Sequence, residues 1–133
     1  MRALIVDDNF YSRSFLEYLL HSHAVCDMAE NGEEAVMIYQ RALKEKNPYD
    51  LVFMDLRMPE IDGSAAMREI RGVERDLGVP EGNGAKIVII SVLEDAEDTH
   101  NAMFLGDAAA FLQKPVEEKA LLTELKRLGL LRL

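Results

Sequence analysis

The sequence predicts an α/β domain with a doubly wound, five-stranded parallel sheet, and three observations carry that prediction. Short apolar runs alternate with stretches of helical periodicity from the first residues to the last. The run Lys86-Ile87-Val88-Ile89-Ile90-Ser91 is continuously apolar and β-branched inside, as strands covered on both faces must be. Residues that carry chemistry stand at the ends of four runs: Asp7 with Asp8, Asp55, Ser91 and Lys114. In an open parallel sheet those ends are where ligands bind. With right-handed crossovers the expected strand order is 2-1-3-4-5, which makes the first and third strands neighbours.

The first strand, Arg2-Ala3-Leu4-Ile5-Val6, closes on Asp7-Asp8, and Asn9 can then cap a helix with Phe15, Leu16, Leu19 and Leu20 as its inner stripe. Ala24 to Ala29 reads as a weaker second strand. Asn31-Gly32-Glu33-Glu34 offers a cap with a glutamate three residues on, and Ala35, Ile38, Ala42 and Leu43 recur at helical spacing. Leu51-Val52-Phe53-Met54-Asp55 is a buried strand closed by Pro59 and an Asp62-Gly63 turn. Ser64 to Ile70 continues as a helix, which Val73 and Leu77 can extend past Gly72 before the loop Pro80-Glu81-Gly82-Asn83-Gly84. After the strand at 86–91 come a helix from about Asp95 to Leu105 and a strand Ala109-Ala110-Phe111-Leu112-Gln113 ending at Lys114-Pro115. A last helix follows, with Leu121, Leu125 and Leu128 inward.

With 133 residues, 49% of them hydrophobic, the chain makes one domain (1–133) able to bury a core. No apolar stretch approaches a bilayer span and no basic leader precedes the first strand, so a soluble, cytoplasmic protein without a membrane partner is expected. The single Cys26 has no partner for a disulfide within the chain, suits a reducing compartment and reads as a small core residue. A net charge of −9 argues against nucleic-acid binding and suits a cation site. The seven methionines read as core filler, and His21, His23 and His100 lack the spacing of a metal cluster.

In the expected strand order Asp7, Asp8 and Asp55 converge on one crevice. Carboxylates that close repel by about 4 kcal/mol per pair at an effective dielectric near 20, unless protons or a cation intervene. A hard divalent ion with oxygen ligands, Mg²⁺ in particular, is the economical solution, and it can also bind a phosphoryl oxygen. A carboxylate nucleophile (Asp55), a cation site (Asp7, Asp8), a hydroxyl donor (Ser91) and a fixed ammonium (Lys114) together describe phosphoryl transfer through an acyl phosphate on Asp55. Taken singly, each has a plainer reading: Asp-Asp-Asn and Ser91 as helix caps, a strand-final Asp as a turn residue, Lys114 as a solvated charge, Phe111 as core. Their joint placement is what points to chemistry.

Val6-Asp7-Asp8-Asn9, Met54-Asp55-Leu56-Arg57-Met58-Pro59 with Asp62-Gly63, Ser91, and Phe111 three residues before Lys114-Pro115 resemble, from the first residues to the last helix, a response-regulator receiver domain of the CheY-like kind. That resemblance implies a flavodoxin-like (βα)5 fold. It also implies that Asp55 accepts phosphate from the phosphohistidine of a sensor histidine kinase or a phosphotransfer protein. Asp7, Asp8, Asp55 and the Arg57 main-chain carbonyl would be the Mg²⁺ ligands. It implies a switch in which Ser91 moves toward the phosphate, Phe111 turns inward, and the surface made by the helix at 95–105, the strand at 109–113 and the last helix changes for a downstream protein or effector domain. Catalysis would be limited to the protein's own phosphorylation and dephosphorylation, and homodimerisation on phosphorylation fits the same family.

Three features depart from the family pattern: Val92 where alanine is usual, one residue more between Gly106 and Phe111, and a longer segment from Arg71 to Lys86, expected at the starting end of the fourth strand and away from the site. Three rivals fit parts of the same pattern. A haloacid-dehalogenase-like phosphatase needs its nucleophile on the first strand and a second aspartate two residues later, where this chain has Asn9. A flavodoxin-like FMN carrier needs a hydroxyl- and glycine-rich loop where this chain has Asp7-Asp8. A degenerate receiver acting only as a binding module is the third and stays open, although every expected acid is present.

Overall fold

The computed structural model describes residues 1–58, 62–92 and 108–131. Along them run β1 (Arg2–Val6), α1 (Phe10–Leu20), β2 (Val25–Ala29), α2 (Gly32–Lys44), β3 (Leu51–Asp55), α3 (Gly63–Asp76), β4 (Lys86–Ser91), β5 (Ala110–Gln113) and a C-terminal helix α4 (Glu118–Arg127). The helix expected at Asp95 to Leu105 lies outside the described residues, as do Pro59, His100 and Gly106. The strands form one sheet of order β2-β1-β3-β4-β5, every neighbouring pair parallel. This is the doubly wound sheet that the apolar runs predict.

Alternation along each inner strand divides the core in two. Leu4, Val6, Val52, Met54, Ile87 and Ile89 face α2 and α3, and Ala3, Ile5, Leu51, Phe53, Val88 and Ile90 face α1 and α4. Both faces are apolar because both are covered, which is why the strands read as unbroken hydrophobic runs. Each fully buried Leu, Ile, Phe or Met contributes about 1.5–3 kcal/mol of transfer free energy.

Helix starts follow local chemistry. Asn9 Oδ1 accepts from Ser12 N at 3.0 Å and Asn31 Oδ1 from Glu34 N at 2.8 Å, each satisfying an N–H that the helix cannot. The glutamate of the expected capping box, Glu34, accepts from Glu30 N at 3.3 Å, one residue before the cap. Asp62, read as part of a turn, caps α3 through Ala65 N at 2.8 Å. As its Val73 and Leu77 allow, α3 runs through Gly72 to Asp76, with Leu77 as its exposed C-cap.

The inner stripe of α1 differs from expectation. Leu16, Leu19 and Leu20 are buried, but Phe15 is 45% exposed and Arg13 takes the remaining inward position. Arg13, Leu16 and Leu20 stand three and then four residues apart on one line, so α1 lies on the sheet along that line and Phe15 falls on its shoulder. Cys26 is half-buried rather than fully in the core, and burial, with Glu17 and Asp27 adding to it, pushes its thiol up to about 11, leaving it protonated and unreactive.

At the end of the sheet away from the strand exits, the buried Glu74 of α3 accepts from the Tyr39 hydroxyl, from Arg71 Nη1 at 2.9 Å and from Ala85 N at 3.2 Å. Burial, then the Glu74 carboxylate, raises the Tyr39 phenol well above its ordinary value. This network joins α2, α3 and the start of β4, and a Cβ on Gly84 would run into the Glu74 carboxyl group. The longer 71–86 segment is therefore anchored far from the strand exits, as its sequence position suggested.

Candidate functional site

Parallel pairing sets the site. Val6 is in register with Met54, so the residues that follow, Asp7 and Asp55, leave the sheet side by side. One oxygen from each of Asp7, Asp8 and Asp55 lies within 4.8 Å of the others, the one such acidic group among the described residues. Asp7 and Asp55 are 1% and 5% exposed, while Asp8 faces solvent and is the side on which the cluster meets water.

Asp7 is tethered at every polar atom. Its N donates to Ala29 O (3.2 Å), its O accepts from Arg13 Nη1 (2.7 Å), Oδ1 accepts from Asn9 N (2.9 Å) and Oδ2 from Lys114 Nζ (2.9 Å). Asp55 accepts from Arg57 N at 3.1 Å through Oδ1 and from Lys114 Nζ at 3.3 Å through Oδ2. Lys114 follows β5, the strand beside β4, and its own N donates to Ser91 O at 2.7 Å. That bond links the ends of the two strands and delivers the ammonium over both acids.

The electrostatics follow the geometry. Burial, with the Asp7 charge adding to it, pushes the Asp55 carboxyl up to about 6 against the opposing pull of Lys114. Burial draws the Lys114 ammonium down, but its bonds to Asp7 and Asp55 outweigh that and leave it raised, so it stays charged at neutral pH. The loop after Asp55 is held close to α3: Gly63 N donates to Leu56 O at 3.1 Å, and a Cβ at Gly63 would collide with the Asp55 carbonyl oxygen and Leu56 Cα. Only glycine permits that approach.

Ser91 is 4% exposed at the end of β4, one residue past Ile90, the register partner of Asp55. Phe111 stands on the outer side of β5 and is 50% exposed, so it is not the core residue that an aromatic in a strand usually is. The structure thus brings Asp7, Asp8, Asp55, Lys114 and the end of β4 with Ser91 to one edge of the sheet, with Phe111 on the neighbouring face. Two residues beside the acids, Arg13 and Gly63, carry constraints that the sequence does not single out. Arg13 is legible as a polar residue in line with Leu16 and Leu20; Gly63 enters the sequence only with Asp62, as a turn and as part of the receiver-like motif.

A doubly wound sheet with this acid cluster and a lysine at its crest defines the class of two-component receiver domains. The family model described as the response regulator receiver domain matches residues 3–126, and the chain belongs to that family. Three relatives illustrate its reach. The chemotaxis protein CheY of Bacillus subtilis is 33% identical over 128 residues, covering 95% of each chain. The histidine kinase CKI1 of Arabidopsis thaliana is 32% identical over 129 residues, 90% of this chain but 11% of the kinase. The structure of the CKI1 receiver domain complexed with Mg²⁺ superposes with a TM-score of 0.72 at 32% identity, covering 92% of this chain and 89% of that one. The receiver domain of Ssk1 from Saccharomyces cerevisiae, solved with the phosphotransfer protein Ypd1, matches with a TM-score of 0.79 at 28% identity over 97% and 88% of the two chains. This chain spans about a tenth of the length of the plant kinases that it resembles.

Proposed function

We propose that this receiver, acting as one domain, accepts phosphate on Asp55 from a phosphohistidine, with Mg²⁺ held by Asp7, Asp8, Asp55 and the Arg57 carbonyl. The observation that carries the reading is the meeting of three carboxylates within 4.8 Å with Lys114 bonded to two of them. Hard oxygen donors at that spacing, two buried and one facing water, fit an octahedral cation that keeps some of its waters. Bound there, Mg²⁺ would neutralise the acids and the charge on the incoming phosphoryl group. The CKI1 receiver's complex with Mg²⁺ supports the choice of metal.

In the transfer, an Asp55 oxygen forms the new bond to phosphorus as the phosphorus–nitrogen bond of the donor breaks and the imidazole leaves with its electron pair. Lys114, already over Asp55, neutralises the phosphoryl oxygens, and Ser91 supplies a hydroxyl from the end of β4. Phe111, exposed here, turns inward as Ser91 is drawn to the phosphate, and the surface around β5 and α4 changes for a downstream partner. No catalytic turnover beyond the protein's own phosphorylation and dephosphorylation is assigned. Among the described residues no helix is long and apolar enough to cross a membrane, and we place the protein in the cytoplasm.

The donor's approach is suggested by α1. Tyr11, Phe15 and Tyr18, at 80%, 45% and 66% exposure, repeat at four and three residues along one face that begins beside Asp8 and Asn9. A histidine kinase or phosphotransfer protein that brings its histidine to Asp55 would cover that stripe, and the complex of Ypd1 with the Ssk1 receiver supports such a partner. The test is the intact mass after incubation with a small acyl phosphate. One added phosphate in Mg²⁺ and none in chelator is expected. Equal labelling of Asp55→Asn would overturn the assignment.

A further inference from the structure

Arg13 is a buried charged group beside the acids that the proposed chemistry leaves unused. It lies in the first turns of α1, 6% exposed, where both its burial and the helix dipole oppose a cation. Local preferences that conflict with the fold in this way tend to mark functional positions. Its partners say which function. The contact with Glu30 Oε1 is 3.5 Å long to a side chain 69% exposed, and the ring of Phe10 lies 5.8 Å away. Neither is a strong bond at such distances. The short one is Nη1 to the main-chain oxygen of Asp7, at 2.7 Å and buried.

That oxygen has a particular need. β1 ends at Val6, so beyond the strand the Asp7 carbonyl is held by a side chain reaching back from α1. The adjoining amides are fixed by other means, Asp7 N on Ala29 O and Asn9 N on Asp7 Oδ1. With Arg13 in place the turn carrying Asp7 and Asp8 is fixed at both ends of the Asp7 residue. Removing it would take the short bond from that carbonyl and free Asp8 relative to Asp7, whose own carboxylate keeps Asn9 N and Lys114 Nζ.

We infer that Arg13 is a positioning residue for the cation site: through the Asp7 carbonyl it holds Asp7 and Asp8 in the arrangement that takes Mg²⁺. This rests on the Mg²⁺ site proposed above. Groups that orient metal ligands typically change metal affinity by about 10- to 100-fold when removed. A neutral side chain of similar length should therefore weaken Mg²⁺ binding by about tenfold, while the rate of phosphorylation at saturating Mg²⁺ stays within about twofold, since Asp55, Lys114 and Ser91 are untouched.

The experiment titrates Mg²⁺ into wild type, Arg13→Met, Arg13→Lys and Glu30→Gln, following backbone amide resonances, and then measures labelling by acetyl phosphate against Mg²⁺ concentration. Expected Kd values rise about tenfold for Arg13→Met and about threefold for Arg13→Lys, whose ammonium can offer one donor to the same carbonyl, with no change for Glu30→Gln. An unchanged or tighter Kd in folded Arg13→Met overturns the inference, as does a Glu30→Gln effect of equal size. If Arg13→Met does not fold, Arg13→Lys decides alone, and a wild-type Kd refutes the idea. Wild-type protein that shows no Mg²⁺ binding would instead overturn the cation site itself.

Discussion

Replacing Asp55 by asparagine should make the metal-free protein more stable at neutral pH, although it removes the proposed phosphate acceptor. At an effective dielectric near 20, the Asp7 carboxylate within 4.8 Å of Asp55 repels it by about 3.5 kcal/mol, and Lys114 at 3.3 Å attracts it by about 5 kcal/mol. Asp8, facing water, adds about 1 kcal/mol of repulsion. Attraction and repulsion nearly cancel, so burial decides, and the Asp55 carboxyl rises from 3.8 to about 6. The folded state then holds the proton more tightly than the unfolded chain between those values. Stability falls as pH rises through that window and stays low above it. The full shift corresponds to about 3 kcal/mol, which water reaching the cluster past Asp8 reduces to about 1–2 kcal/mol. Urea denaturation in chelator at pH 4 to 8 measures it. Wild type should lose about 1–2 kcal/mol across the range relative to Asp55→Asn, and added Mg²⁺ should restore the loss in wild type alone. A variant less stable than wild type at pH 7.5 without metal would refute the reasoning.

Glu74→Ala leaves the Tyr39 hydroxyl, Ala85 N and Arg71 without their shared acceptor, and should cost about 3–5 kcal/mol by urea melts. Acetyl phosphate labelling below the melt should be unchanged, and a loss of labelling would show that the network reaches the site. Gly63→Ala forces the loop after Asp55 away from α3, at a cost of about 1–3 kcal/mol, and should also weaken Mg²⁺ binding, which calorimetric titration reads. Tyr11→Ser should slow phosphotransfer from a phosphorylated histidine protein several-fold while leaving the small-donor rate alone; equal slowing of both would remove α1 from the docking surface.

The sheet was legible because covering both of its faces forces the strands into unbroken apolar runs, and the order followed from crossover handedness. The site was legible for a related reason: each strand that leads to the crest ends in a residue with no role in the core. What sequence periodicity missed was decided by tertiary contact. Phe15 sits one position off the Arg13–Leu16–Leu20 line and so meets solvent. Arg13 is inward despite its charge because a carbonyl beyond the end of β1 lacks a strand partner. Gly63 looks like turn chemistry in the sequence, whereas its constraint comes from the backbone of Asp55 and Leu56, eight and seven residues earlier in the chain, a proximity that exists only once α3 docks. For Glu74 the sequence offers only the i,i+3 spacing from Arg71, since its other partners, Tyr39 and Ala85, come from separate elements.

The most direct measurement reduces the phosphorylated protein with labelled borohydride, which attacks acyl phosphates and leaves other phosphate esters intact, and maps the tagged peptide. The tag is expected on Asp55, the residue that Lys114 covers and whose carboxyl burial raises. A tag on Asp7 or on Asp8, or no tag on protein that carries phosphate, would contradict the role given to Asp55.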